Sequence, residues 1–95
     1  MAAYVILDVE VTDPVRYEEY KHASTDVLAK HGGKFIVRGG KHDVLEGPWR
    51  PHRMVMIQFD SMEQARTWWT SEAYGKAKAI RLPAARVSAV LVEGM

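Results

Sequence analysis

The chain begins with a regular alternation of side-chain types that runs from Tyr4 to Val11. Every second residue is aliphatic, and these residues are Val5, Leu7, Val9 and Val11. A period of two residues is typical of a β-strand that buries one face. Since a lone strand cannot bury that face, the rest of the fold has to cover it with helices or with a second sheet.

A first helix is predicted directly after this strand, from Pro14 to about His31. Asp13 can cap its N-terminus, and proline is tolerated at the first helical position because its missing N–H has no intrahelical partner there. Gly32 and Gly33 suit the end of the helix. The residues that recur at helical spacing and form its inward stripe are Tyr17, Tyr20, Ser24, Val27, Leu28 and His31.

The rest of the chain predicts three more strands and a second helix. Asp60 and Ser61 begin this helix with the spacing of a capping box, and Thr70–Glu72 looks like a break with a new cap. A glycine pair inside a strand usually marks a bend. The predicted segments are a strand at 35–38 that resumes at 43–46, a strand at 52–59, a helix from 60 to about 82 with the break at 70–72, and a strand at 86–93.

The order strand, helix, strand, strand, helix, strand predicts one ferredoxin-like α+β domain over residues 1–95, with a four-stranded antiparallel sheet. The helices cover one sheet face, and the aliphatic set of the first strand belongs there. The other face is expected to carry Tyr4, Ile6, Met54, Met56, Val90 and Val92 beside Asp8, Arg38, His52 and Gln58. Because that mixture is too apolar for water, we expect a second copy to cover it and form a dimeric α/β barrel.

Charge and composition exclude several classes of protein. The 13 Lys+Arg and 12 Asp+Glu residues give a net charge of +1, which does not fit a nucleic-acid-binding domain. The absence of cysteine excludes disulfides and thiolate metal sites. Asp8 and Glu10 interrupt the only apolar run near the N-terminus, so neither a signal peptide nor a membrane span is predicted. We expect a cytoplasmic protein.

No metal or cofactor is predicted. The four histidines lie nine to eleven residues apart, without the close pairs that metal sites use. Neither glycine pair belongs to a phosphate-binding loop. His52 is the best candidate for a general base, because imidazole titrates near neutral pH and His52 stands at a strand start beside Arg53. The alternative is an exposed or interface histidine.

Three arginines are candidates for binding a small carboxylate, since guanidinium pairs with carboxylates through two parallel hydrogen bonds. Arg53 opens a strand whose next inward residues are apolar, and Arg38 and Arg81 allow the same interpretation. A structural ion pair, such as one between Arg53 and Glu46, is the alternative. Both interpretations stay open for each arginine.

The aromatic residues of the helices, above all Trp68 and Tyr74, either pack in the core or line a pocket for a planar ligand. Ser71 stands next to them in the sequence and is also a natural helix cap. The sequence alone does not decide between a filled core and a pocket.

Several motifs resemble the DUF1330 family of small bacterial proteins of unknown function, which belongs to the dimeric α/β-barrel superfamily. The likeness spans almost the whole chain. Its motifs are Tyr4-Val5-Ile6, Val11-Thr12-Asp13-Pro14, Tyr17 with Tyr20, Gly32-Gly33-Lys34-Phe35, Val37-Arg38-Gly39-Gly40, Leu45-Glu46-Gly47, Trp68 with Ser71 and Tyr74, Arg81, and Val92-Glu93-Gly94. The resemblance implies the fold and a homodimer, and it implies no particular activity.

Two departures limit what the resemblance carries. The family usually has Ser-Pro-Glu-Tyr where this chain has Ser71-Glu72-Ala73-Tyr74, so an acidic group is lost. Pro83 also follows Arg81 closely where the family tends to stay helical, which is expected to shorten the helix that presents Arg81. Separately, the chain contains no asparagine, which excludes the Asn-Trp-His arrangement of the haem-degrading members of the superfamily.

Two hypotheses of different classes follow. The first is a cytosolic homodimer that binds a small anionic or aromatic organic molecule between helices and sheet, as a binding protein or as a cofactor-independent enzyme similar to the monooxygenases and isomerases of the superfamily. Its ligand-binding residues would be Arg38, Arg53, Trp68, Ser71, Tyr74 and Arg81, with His52 as the proton carrier. The second is a non-catalytic dimeric module in which these residues only pack.

Overall fold

The computed structural model describes residues 1–95. Its order of elements confirms the predicted order, with the second helix in two parts. The elements are β1 (Ala3–Val11), α1 (Pro14–Lys30), β2 (Lys34–Arg38), β3 (Arg53–Phe59), α2 (Met62–Trp69), α3 (Glu72–Arg81) and β4 (Ala85–Glu93).

The four strands form one antiparallel sheet in the order β2-β3-β1-β4. The first strand therefore lies inside the sheet, where Val5 stands opposite Ile57 of β3 and Leu91 of β4. This arrangement confirms the predicted ferredoxin-like α+β fold.

Two serine caps explain why the second helix is divided. The Ser61 hydroxyl accepts a hydrogen bond from the Gln64 backbone N–H at 3.1 Å, and α2 begins after it. The Ser71 hydroxyl accepts one from the Tyr74 backbone N–H at 3.1 Å, and α3 begins after it, with two residues between the helices. Each cap satisfies a backbone donor that the first turn of a helix leaves without a partner.

No helix of the chain has both the length and the apolar character that a membrane crossing requires.

The core lies between the sheet and the helices. It uses the faces that the alternation in β1 and β3 predicts, together with the aromatic residues of the helices. The buried core residues are Val5, Leu7, Val9, Tyr17, Tyr20, Leu28, Val55, Ile57, Phe59, Ala65, Trp68, Tyr74, Ala77, Ala84 and Ala85. Burial of this apolar surface is the main stabilising contribution to the fold.

The opposite face of the sheet is open and carries an apolar row across all four strands. In register, Val37 stands opposite Met56, Met56 opposite Ile6, and Ile6 opposite Val90. Val90 is 62% exposed. We refer to these four residues as the apolar row.

The predicted strand at 43–46 is wrong, because the segment 39–52 contains neither helix nor strand. Gly39 has a φ of 74°, a left-handed conformation that ends the pairing of β2 with β3. No strand lies beside the apolar residues that follow, and Leu45 is 95% exposed.

The predicted place of Arg38 on the open face is also wrong. Pairing shifts register inside β2, so that Phe35 stands opposite Ile57 while Val37 stands opposite Met56. One extra residue in a strand moves every later side chain to the other face. Arg38 is consequently opposite Val55, on the side that faces the helices.

Candidate functional site

A cavity of about 30 Å³ lies between the sheet and the helices. Most of its wall is apolar. The residues with a positive charge that line it are Lys21, Arg38, Arg53 and Arg81, and no aspartate or glutamate lines it. Lys21 is paired with Glu18 at 2.7 Å, whereas the three arginines form no ion pair. A cavity with cations and no carboxylate attracts an anion.

Three buried N–H groups of residues that line this cavity have no hydrogen-bond acceptor within the chain. They are Nε of Arg53, Nε1 of Trp68 and Nε of Arg81. Buried donors are almost always paired, because an unsatisfied one costs about 1–3 kcal/mol. Three residues that line one cavity thus carry one unsatisfied donor each, which is an unusual concentration.

Arg81 is the most unusual of the three, because a charged side chain is rarely buried without a partner. It is the last residue of α3, it is only 4% exposed, and it forms no ion pair. The rings of Tyr20 and Trp69 lie 5.8 Å and 6.0 Å from its guanidinium carbon. These rings and the C-terminal end of the helix favour the positive charge, but they offer no acceptor to the Nε–H.

Arg53, the first residue of β3, lies on the helix side of the sheet with its guanidinium carbon 5.9 Å from the Tyr17 ring. The predicted alternative, an ion pair with Glu46, is not formed. Gly39 lies directly against this guanidinium, since a Cβ at Gly39 would stand 2.7 Å from Cζ of Arg53. The absence of a side chain at Gly39 thus leaves the space that the Arg53 guanidinium occupies.

Replacing Gly39 by alanine is expected to displace Arg53 from the cavity, because the new methyl group overlaps the guanidinium and because φ is positive there. We expect a loss of stability of about 1–2 kcal/mol in chemical denaturation. Gly40→Ala is the matched control, since a Cβ at Gly40 meets nothing within 4 Å. Equal stability of the two variants would contradict this role of Gly39.

Arg38 lies at the edge of the cavity, between β2 and α1. Its guanidinium stacks on the Phe35 ring at 4.2 Å, and its Nη2 donates to Oγ1 of Thr25 at 3.3 Å. The side chain is exposed and forms no ion pair.

Two of the predicted binding residues, Ser71 and Tyr74, do not line the cavity. Ser71 caps α3, and Tyr74 is fully buried with its ring 4.3 Å from that of Trp68. The Tyr74 hydroxyl shares a hydrogen bond of 2.9 Å with the Tyr20 hydroxyl. Burial, and then the neighbouring Tyr74, raise the pKa of Tyr20 far above its ordinary value, so this hydroxyl stays protonated.

His52, the predicted proton carrier, lies on the open side of the sheet and not with the arginines. Its Nδ1 is 3.3 Å from Oδ1 of Asp8, and its Nε2 is 3.8 Å from Oε2 of Glu10. The backbone N–H of His52 donates a hydrogen bond to Oδ1 of Asp8 at 2.8 Å. The Nε1–H of Trp49 donates one to Oδ2 of Asp8 at 2.9 Å. These hydrogen bonds, above all the one from the His52 backbone, lower the pKa of Asp8. The same hydrogen bonds attach the end of the segment 39–52 to Asp8 of β1.

Sequence reasoning missed two residues of this site, Lys21 and Gly39. Lys21 lines the cavity although it lies outside the predicted inward stripe of α1, and the glycine pair that contains Gly39 predicts only a bend. An Arg-Gly-Gly run at a strand end was the one available signal for Gly39, because glycine permits close approach of a bulky group.

The fold and the cavity define a class, that of small ferredoxin-like α+β domains with a charged cavity between helices and sheet. Residues 2–95 match the family model described as "Domain of unknown function (DUF1330)", and the chain belongs to this family. The match confirms the resemblance seen in the sequence motifs. Comparison with curated protein sequences gives no match.

Solved structures share the fold at low sequence identity. A protein of unknown function from Rhodopseudomonas palustris is 18% identical with a TM-score of 0.78, over 99% of this chain and 82% of that one. A dimeric ferredoxin-like protein of unknown function from Jannaschia sp. CCS1 is 15% identical with a TM-score of 0.69, over 99% and 100%. SnoaB, a cofactor-independent oxygenase from Streptomyces nogalater, is 14% identical with a TM-score of 0.65, over 99% and 92%. At these identities the likeness shows the fold alone.

Proposed function

We propose that this protein is a homodimer that binds a small organic anion between its helices and its sheet. The observation that carries this proposal is the set of three unsatisfied donors, from Arg53, Trp68 and Arg81, around a cavity that has cations and no carboxylate. An anion would supply acceptors to these donors and would neutralise the charge of Arg81. Hydrogen bonds between charged partners are also the stronger ones.

The same geometry favours an anion over an aromatic ligand. The aromatic rings pack against one another, with the rings of Phe59 and Trp68 5.4 Å apart and those of Trp69 and Tyr74 also 5.4 Å apart. The cavity of about 30 Å³ is far below the volume of about 300 Å³ or more that sites for drug-sized ligands provide. A small charged group fits this space, whereas an aromatic ring does not.

Binding without catalysis is the function that this geometry supports best. A general base has to lie within hydrogen-bond reach of the proton it removes. No histidine and no carboxylate lines the cavity. The histidine expected to act there, His52, bonds to Asp8 on the other side of the sheet. The oxygenase activity of SnoaB is consequently a second candidate that rests on the shared fold alone.

The homodimer is supported by the open face of the sheet. The accessible surface of the chain is 6222 Å², whereas a compact monomer of this mass exposes about 5,500 Å². The apolar row lies on the open face of the sheet, and an apolar face of this kind usually marks an interface. The Jannaschia relative with the same fold is dimeric. A cytoplasmic location stays a prediction from the sequence.

Acetate is expected to stabilise the protein against thermal denaturation, because it binds only the folded state. At one hundred times its dissociation constant the gain is about 2.7 kcal/mol. Acetamide, which has the same shape and no charge, is the matched control at equal ionic strength. Equal effects of acetate and acetamide, or no saturable effect of acetate, would show that no anion binds.

A further inference from the structure

We infer that the segment 39–52, which we call the arm, packs on the second copy of the chain and brings Val44, Leu45 and Trp49 into the interface of the homodimer. This inference rests on the proposed homodimer and extends its interface from the sheet to the arm.

The arm carries three large apolar side chains that its own chain leaves exposed. Val44 is 40% exposed, Leu45 95% and Trp49 57%, and none of them belongs to the hydrophobic core or packs against it. All three line one recess with Pro51 and Met54, and most of the wall of this recess is apolar. Exposed apolar residues that stand together usually mark an interaction site, whereas scattered ones need no explanation.

The arm lies on the open side of the sheet, beside the apolar row. The Nε1–H of Trp49 and the backbone N–H of His52 both donate hydrogen bonds to Asp8, at 2.9 Å and 2.8 Å. Asp8 is two residues from Ile6 of the apolar row, so the two side chains share one face of β1. A copy of the chain that covers the apolar row therefore also meets the arm.

Hydrogen bonds hold the arm in a defined shape although it contains neither helix nor strand. The backbone N–H of Gly39 donates to the Met54 carbonyl oxygen at 2.7 Å. Nε2 of His42 lies 3.2 Å from the Pro51 carbonyl oxygen, which joins the two ends of the arm. A segment that is already ordered loses less conformational entropy when it binds a partner.

The charges of the arm suit a second copy of the chain. Its charged residues are Lys41, Asp43, Glu46 and Arg50, so its formal charge is zero with histidine neutral. In a symmetric dimer the same surface belongs to both partners, and a net charge on it would be repelled. Asp43, Glu46 and His42 also line the recess, as fits an interface that combines apolar with polar residues.

The size of the exposed surface also fits a dimer. The accessible surface of 6222 Å² exceeds that of a compact monomer of this mass by about 700 Å². Each partner in a standard protein–protein interface loses about 800 Å². The surface that the chain exposes beyond a compact monomer is thus close to what one protomer buries in a stable dimer.

The first test is sedimentation of Leu45→Glu at micromolar concentration. We expect the dissociation constant of the dimer to rise at least about tenfold, because two carboxylates enter an apolar interface without a partner. The fold should be retained, since Leu45 is almost fully exposed in the protomer. Leu82→Glu is the matched control, because Leu82 is 62% exposed at the end of α3, in the helix layer, and should leave the dimer intact.

The outcomes separate the arm from the dimer itself. If the wild-type protein is a dimer and Leu45→Glu dissociates no more than Leu82→Glu, the arm is free for a different partner. This inference is then wrong while the homodimer stands. If the wild-type protein sediments as a monomer, the proposed homodimer fails and the arm interface with it.

The second test uses a single thiol, since the chain contains no cysteine. Leu45→Cys and Leu82→Cys are treated with a maleimide at a concentration at which each sediments as a dimer. The thiol of Leu45→Cys should react at least about tenfold more slowly, although Leu45 is the more exposed of the two positions in the protomer. An equal or faster reaction of Leu45→Cys would show that the partner does not cover the arm.

Discussion

Replacing Arg81 by methionine is expected to stabilise the ligand-free protein and to remove its response to carboxylates. Arg81 is 4% exposed and its Nε–H has no acceptor, so its burial without an anion lowers stability. Methionine matches the arginine side chain as far as Nε and carries no charge and no unsatisfied donor. Replacement of buried charges by apolar residues of similar volume often stabilises a protein, and we expect a gain of about 1–3 kcal/mol in chemical denaturation.

The matched control is Arg66→Met, which makes the same change on an exposed position of α2. Its effect should stay within about 0.5 kcal/mol. A purely structural Arg81 would give the opposite result, because its loss would then destabilise the protein. Such a destabilisation, with the response to acetate intact, would contradict the anion site.

Replacing Met56 by glutamate is expected to dissociate the homodimer. Met56 lies in the middle of the apolar row, between Val37 and Ile6. A symmetric interface buries the new carboxylate twice without a partner, which should raise the dissociation constant of the dimer by about a hundredfold or more. Sedimentation at micromolar concentration measures the change from a dimer to a chain of 10.8 kDa.

Val15→Glu is the control for this variant, since Val15 is 76% exposed in the first turn of α1, away from the sheet. It introduces the same charge and should leave the dimer intact. A dimer that persists in Met56→Glu would show that the open face of the sheet is not the interface.

Sequence patterns predict most of this fold because its strands bury one face and its helices have side-chain caps. The alternation in β1 and β3 assigns Val5, Leu7 and Val55 to the core, and all three are buried there. The caps at Ser61 and Ser71 set the starts of α2 and α3.

The features that the sequence could not supply depend on pairing between strands. The extra residue in β2 that turns Arg38 toward the helices is visible only as a register shift against β3. The residues Asp43–Glu46 look like a strand, but no neighbouring strand pairs with them. Local propensity does not determine whether a partner is present.

Part of the candidate site could be predicted from the sequence. Arginine chemistry pointed to an anion, and the structure places Arg38, Arg53, Trp68 and Arg81 around one cavity. Strand alternation alone already separates His52 from Arg53, because neighbouring residues of a strand point to opposite faces. The sequence could not show that Arg81 lacks a counter-charge, since that depends on every element packed around it.

The central claim is that one anion accepts the unpaired donors of the cavity, and the indole N–H of Trp68 reports on this most directly. In an NMR titration of the nitrogen-15-labelled protein with acetate, the Nε1–H signal of Trp68 should shift and saturate. The Nε1–H signal of Trp49 should not shift, because this N–H already donates a hydrogen bond to Asp8 at 2.9 Å. Saturable binding that leaves the Trp68 signal unmoved, or no binding at all, would contradict the claim.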